Sequence, residues 1–257
     1  MTQWSDLAYP RHEEAAGRPR VALLPVGALE AHGPHLPVGT DLVIAEAMAR
    51  SAAAALEGDG LFVTLLPALP WTPAPFADEL AGTLSVRPET TTALVVDVAA
   101  ALARRGYACL GVANAHFDPA NLAALAAARD EIGRSGAIRL AWPDVTRRAL
   151  AARLTEEFVS GACHAGRYET SILLAERPGL VDERLRGALP ENPASLVDAI
   201  RAGRRTFREA GGARAYFGDP ARATRAEGET SVARLGELLA EAVREALGLP
   251  PPAASGT

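Results

Sequence analysis

VALLPVG at residues 21–27, continued by ALEAHGPHLPVGTD at 28–41, decides the fold. The first piece is a short β-branched apolar run ending in glycine, and it reads as a buried strand. The second is rich in Gly and Pro and cannot be a regular helix. LVIAEAMARSAAAALEG follows as a predicted helix, opened by Asp41, capped by Thr40 or Asp41 and closed by Gly58.

The same strand–loop–helix order recurs downstream. Strands are predicted at 61–70, 107–115 and 138–145. Helices are predicted at 89–106 with Gly106 as the stop, at 122–136, at 146–161, in a short run ended by Pro178, and at 230–247. The stretch 71–88 is a long loop carrying Pro73 and Pro75, and loops of that length are often functional. Residues 183–229 are polar and rich in Gly and Pro. Strands alternating with helices predict an α/β fold with a mainly parallel central sheet and helices on both faces. Sites in such folds form at the carboxyl ends of the strands. No internal repeat or linker interrupts the chain, so one domain is expected over 1–250, with 251–257 as a frayed tail.

The 257 residues can bury a sizeable core, and 49% of them are apolar, a globular composition. The formal net charge of −5 disfavours a nucleic-acid partner, which requires a basic face. There is no lysine, which removes Schiff-base chemistry. Cys109 and Cys163 are too few for a disulfide framework or a thiolate zinc site. No signal-peptide core or membrane-length apolar run stands out, so a cytoplasmic protein without membrane contact is expected.

Four of the five histidines fall in predicted strand-end loops: His32, His35, His116 and His164. Glu30 and His32 flank Ala31, and in extended chain residues two apart point the same way. His116 and Asp118 repeat that spacing, and Asp41 begins a helix where its two oxygens can bridge two ions. Such donors suit Zn²⁺ or Mn²⁺ rather than an iron–sulfur cluster. The spacing alone leaves chance pairs, a helix cap at Asp41 and an Asx turn before Pro119 as open alternatives.

The segment LLPVGALEAHGPHLPVGTD resembles the signature of the creatininase (creatinine amidohydrolase) family. NAHFDPAN at 114–121, HAGRYETSILLAERPGLV at 164–181 and GDPARATRAEGE at 218–229 are similar to its later motifs. The resemblance implies a single three-layer α/β/α domain, a homo-oligomer (a hexamer in many members) and two divalent ions per subunit, zinc first, with manganese or iron as alternatives. It implies Glu30, His32, Asp41 and His116 as metal ligands, Asp41 bridging. Asp118 stands where creatininase has a glutamate ligand and is expected as ligand or catalytic carboxylate. Glu169 of the E-T-S motif is expected at the metals, and His164 matches the catalytic histidine. The implied reaction is hydrolysis of a C–N amide bond in a small-molecule substrate: a cyclic amide, a formamide or a small peptide. The middle-loop segment PFADELAGTLSV lacks the histidine usual there, so creatininase activity proper is not expected and a biosynthetic or specialised-metabolite pathway is preferred. His35 is read as a loop hydrogen bond supporting the ligands. Trp71 and Trp142 are read either as pocket lining or as core. Cys163 is disfavoured as a nucleophile because residues adjacent in sequence rarely face each other. The rival class is a binding or scaffold protein that kept the fold; a Rossmann protein is disfavoured because no G-x-G-x-x-G turn follows the first strand.

Overall fold

In a computed structural model, residues 2–12, 17–161 and 164–251 are described. Five parallel strands form one sheet: β1 (Thr2–Gln3), β2 (Arg20–Val26), β3 (Phe62–Leu65), β4 (Tyr107–Asn114) and β5 (Arg139–Ala141), in the order β1-β3-β2-β4-β5. β2 and β4 form the longest ladder, running from Arg20↔Tyr107 to Val26↔Asn114. Every residue from Val21 to Val26 is buried, as a strand covered on both faces must be.

Helices cover both faces. α1 (Thr40–Leu56), α6 (Arg167–Glu176) and α9 (Arg225–Leu247) pack on one side around Leu23, Met48, Ile172 and Leu239. α2 (Pro88–Arg104) and α3 (Pro119–Ser135) pack on the other around Leu24, Val95, Leu110 and Leu125. This is the expected three-layer α/β/α arrangement. α6 and α9 cross at Gly228, where a Cβ would collide with the Ser171 carbonyl. Among the described residues no helix is long and apolar enough to cross a membrane.

The connections set the position of the site. From β2 the chain moves to β3 on one side, then crosses back over β2 to β4 on the other. The reversal leaves a crevice at the carboxyl ends of β2 and β4, the topological switch point where ligands bind in open α/β sheets.

Several elements differ from expectation. The strand predicted at 61–70 stops at Leu65, before Pro67 and Pro70, whose missing N–H groups cannot extend a ladder. The strand at 138–145 shrinks to Arg139–Ala141 before Pro143. α1 runs on through a 3₁₀ turn (Glu57–Asp59) and is closed by Gly60 at φ 69°, not by Gly58. Its N-cap is Gly39; the Thr40 hydroxyl donates to the Pro37 carbonyl, and Asp41 caps nothing. The helix predicted at 146–161 is two pieces, α4 (Arg148–Ala151) and α5 (Glu156–Ser160), because the Thr155 hydroxyl accepts from Phe158 N–H and starts a new helix. The polar stretch after 183 contains α7 (Glu183–Ala188) and α8 (Leu196–Arg201). Cys163 and residues 252–257, most of the expected tail, lie outside the described residues.

Candidate active site

Glu30 and His32 follow β2, Asp41 opens α1, His116 follows β4, and His164 and Glu169 flank the start of α6. All six are buried, with relative exposures of 6% or less, and they meet at the switch point. Gly27 makes the meeting possible by letting the end of β2 abut the first turn of α1: a Cβ there would lie 2.8 Å from the Asp41 carbonyl carbon.

Asp41 is the centre. Its Oδ1 is 3.0 Å from His32 Nε2, and its Oδ2 is 3.0 Å from His116 Nδ1. Glu30 Oε2 lies 3.3 Å from His116 Nδ1, and Glu169 Oε2 lies 3.6 Å from His32 Nε2. Each imidazole spends its other nitrogen on a main-chain carbonyl: His32 Nδ1–H donates to Glu30 O at 2.9 Å, and His116 Nε2–H to Pro73 O at 2.8 Å. Those bonds fix which nitrogen keeps its proton, so each ring, once neutral, would turn an unshared pair toward the carboxylates. The His116 carbonyl is itself gripped by the side-chain amides of Asn114 and Asn121, each at 2.8 Å.

Among the described residues, three donor triads have their ligand atoms within 4.8 Å of one another: Glu30–Asp41–His116, His32–Asp41–Glu169 and Glu30–His32–His164. Asp41 Oδ2 is buried and has no hydrogen-bond donor. Lone pairs from imidazoles and carboxylates converging on an orphaned oxygen form a donor set that fits divalent cations. The field points the same way. Burial would push the His32 imidazole down, but the Asp41, Glu169 and Glu30 carboxylates outweigh it and raise it to about 10. His116 is likewise raised against burial, by Glu30 and Asp41. Burial would raise Asp41 and Glu30, yet the surrounding histidines hold both below the usual carboxylate range. Burial pushes Glu169 up to about 8 against the pull of His32, with Asp41 adding to the rise. The centre is built to hold positive charge.

His164 stands beside this group. Its Nε2–H donates to Ala31 O at 2.9 Å, and Nδ1 is 3.8 Å from Glu30 Oε2. Its ring packs between His32 and Phe207, with centroids 4.2 Å away on each side. Burial, then the His32 charge, push it down to about 4. Ala165 follows at φ 50°, an uncommon conformation for a residue with a Cβ, and its N–H donates to Glu169 Oε2 at 2.6 Å. His35 bonds the Thr170 hydroxyl at 2.9 Å and ties the first motif to α6, the supporting role expected of it. Thr170 is engaged there, and the Ser171 hydroxyl accepts from Thr224 N–H, so neither caps α6.

Asp118, expected as a ligand or catalytic carboxylate, sits apart from the other candidate ligands. It belongs to none of the three triads. Its Oδ1 accepts from Ala120 N–H at 2.8 Å and caps α3; its Oδ2 accepts from Phe76 N–H at 3.1 Å. β4 ends at Asn114, so the two-residue spacing from His116 runs through irregular chain, where strand alternation does not apply. Asp118 still lines the cavity over the centre.

That cavity holds about 360 Å³, with Glu30, Asp41, His116, His164 and Glu169 on its floor. Trp71 is 55% exposed and, like Trp142, does not line it; Trp142 lies under the Arg129 guanidinium instead. Residues that sequence reasoning passed over form its walls, Phe207 and Ile200 above all. Isolated aromatics such as Phe207 and Phe217 in a polar, Gly-rich stretch were the available signal.

A parallel α/β sheet with a buried imidazole–carboxylate centre at its switch point is here the frame of a hydrolase acting on carbon–nitrogen bonds. The chain belongs to the creatininase family, described as creatinine amidohydrolase, whose profile matches residues 5–243. It is 34% identical over 216 residues to a mycofactocin precursor peptide peptidase of Mycobacterium tuberculosis, a match spanning 80% of this chain and 77% of that one. Among solved structures, a tryptophan-to-phenylalanine mutant of creatininase superposes with a TM-score of 0.72 at 26% identity, covering 97% of this chain and 99% of the other. A creatininase mutant of Zn-Zn type superposes with a TM-score of 0.69 at 25% identity, covering 97% and 98%.

Proposed function

We propose that the chain is a two-metal amidohydrolase acting on a small peptide or related amide in a specialised biosynthetic pathway. The observation that carries this reading is the placement of Asp41, whose two oxygens face imidazole nitrogens of two different motifs at 3.0 Å each. Glu30, Asp41 and His116 would hold one ion, and His32, Asp41 and Glu169 the other. Bound divalent ions supply Lewis acidity, lowering the pKa of water and polarising an amide carbonyl. Zinc suits the donor set best, and a related creatininase structure is of Zn-Zn type. The peptide assignment rests on likeness to the mycofactocin precursor peptide peptidase.

The chain's own residues handle the proton. Water's oxygen bonds to the carbonyl carbon, the C–N bond breaks, and one water proton ends on the departing nitrogen. His164 is buried and gives its Nε2–H to Ala31 O, which leaves Nδ1 to take that proton and return it. Its ring is held by Ala31 O and Phe207, which keeps it over the floor of the cavity. A homo-oligomer working in the cytoplasm accompanies this reading.

The test is metal content by plasma mass spectrometry on wild type beside His116→Ala, with hydrolysis of cyclic amides, formamides and short peptides assayed on the same samples. Close to two equivalents per chain, reduced in the variant together with activity, supports the proposal. A wild-type protein that takes up no metal on reconstitution overturns it.

A further inference from the structure

The walls of the cavity are hydrocarbon, and they come from distant parts of the chain. Phe76 lies in the 71–88 loop, Phe117 and Leu122 after β4, Leu196 and Ile200 on α8, and Phe207 in the loop beyond it. Phe207 is 3% exposed. Its N–H donates to Phe76 O at 2.9 Å, its ring centroid is 6.1 Å from that of Phe76, and it also packs against the rings of His164 and Phe217. The apolar wall therefore touches the proton-handling residue directly.

Apart from the carboxylates and imidazoles of the centre, the charged side chains lining the cavity are Asp118, whose oxygens accept from Ala120 N–H and Phe76 N–H, and Arg201. Arg201 at the mouth has a 76% exposed side chain and lies 3.3 Å from Asp198. Among the described lining residues no buried Arg answers an anionic group inside. A substrate with little hydrocarbon would leave the phenyl and isobutyl surfaces against water. An anionic side chain would lose its hydration without a partner, and a cationic one would have to leave water for walls that are mostly hydrocarbon. The cavity volume lies within the range of small-molecule pockets, large enough for an amide together with a side chain of phenylalanine size.

We infer that the substrate carries a bulky, uncharged apolar side chain on the residue flanking the scissile C–N bond, and that Phe207, with Ile200 and Phe76, selects it. This rests on the metal-amidohydrolase reading above and adds the substrate class.

The probes are acetohydroxamic acid and phenylacetohydroxamic acid, which share a metal-binding head and differ by one phenyl group. Binding of each to the zinc-reconstituted full chain is measured by calorimetry, with zinc content on the same sample. The phenyl compound is expected to bind about tenfold tighter or more. That advantage should shrink several-fold in Phe207→Ala and in Ile200→Asn. Ile200 is half-buried, so the second variant serves if the first fails to fold. Equal or weaker binding of the phenyl compound, no binding of either to zinc-loaded protein, or an advantage untouched in a folded variant overturns the inference and leaves the metal reading standing. Failure to take up zinc overturns both.

Discussion

Gly27 and Asp41 are in such close contact that a methyl group between them has no room: a Cβ on Gly27 would lie 2.9 Å from Asp41 Cβ and 2.7 Å from Leu42 N. The end of β2 and the first turn of α1 are thus docked backbone to backbone, and the central carboxylate is placed by that docking. Gly27→Ala should push the turn outward and Asp41 with it. Overpacking of this kind costs about 1–3 kcal/mol, which a domain of this size can survive. The expected outcome is a folded protein with sharply reduced metal content and activity. Two full equivalents of metal in Gly27→Ala would mean that Asp41 does not depend on this contact.

Asp118 offers a contrast, because its oxygens are committed to Ala120 N–H and Phe76 N–H. Asp118→Ala should cost about 1–2 kcal/mol through the lost cap of α3 and leave metal stoichiometry unchanged. Thermal unfolding and metal analysis on one preparation give both numbers. Loss of an equivalent of metal at intact stability would restore the ligand role that its spacing from His116 suggested.

The difference between these carboxylates shows what the sequence could carry. The motif at 21–41 reads correctly as strand, loop and helix because apolar run, Gly/Pro loop and helical period follow in order. Glu30, His32, Asp41, His116, His164 and Glu169 were named from motifs and come together in space. Phe207 was not named, because its place depends on a hydrogen bond to Phe76 O, contributed from far along the chain. β1 is two residues long and has no period to detect. The break between α4 and α5 hides inside a continuous helical pattern, since only the Thr155 cap interrupts it. Local order was legible, while features made by contacts between distant segments were not.

Glu157 is one such feature. Its Oε2 accepts from Tyr168 N–H at 2.7 Å and its Oε1 from Asp219 N–H at 2.8 Å, tying the start of α6 to the 218–220 turn. Burial raises its pKa above the ordinary value of 4.5, against the pull of the Asp219 and Tyr168 amides. The folded state therefore binds this proton more tightly than the unfolded chain, and its contribution to stability falls as pH rises from about 4.5 through the raised value. Urea unfolding of wild type and Glu157→Gln across pH 4 to 7 should show wild type losing stability relative to the variant as pH rises. A difference that does not change with pH contradicts the shift. Glu157→Ala, which orphans both amides, should cost about 2 kcal/mol or more.

Cys109 provides a reporter that separates local damage at the centre from loss of the fold. It is fully buried on β4, paired in register with Val21 of β2, in the ladder whose ends carry Glu30 and His116. Burial pushes its thiol up to about 12, so at pH 8 only about one molecule in ten thousand carries the reactive thiolate even before access is considered. Native protein treated with iodoacetamide at pH 8 and mapped by mass spectrometry should leave Cys109 unlabelled, and full labelling should appear only in denaturant. Rapid native labelling would mean that the β2–β4 ladder opens far more readily than its burial implies. Applied to Gly27→Ala, the same measurement distinguishes two routes to metal loss. Protection of Cys109 with metal gone places the defect at Asp41, because the sheet beneath is intact. Labelling of Cys109 in step with metal loss places it in the sheet, and the close packing of Gly27 would then be a requirement for folding before it is one for the centre.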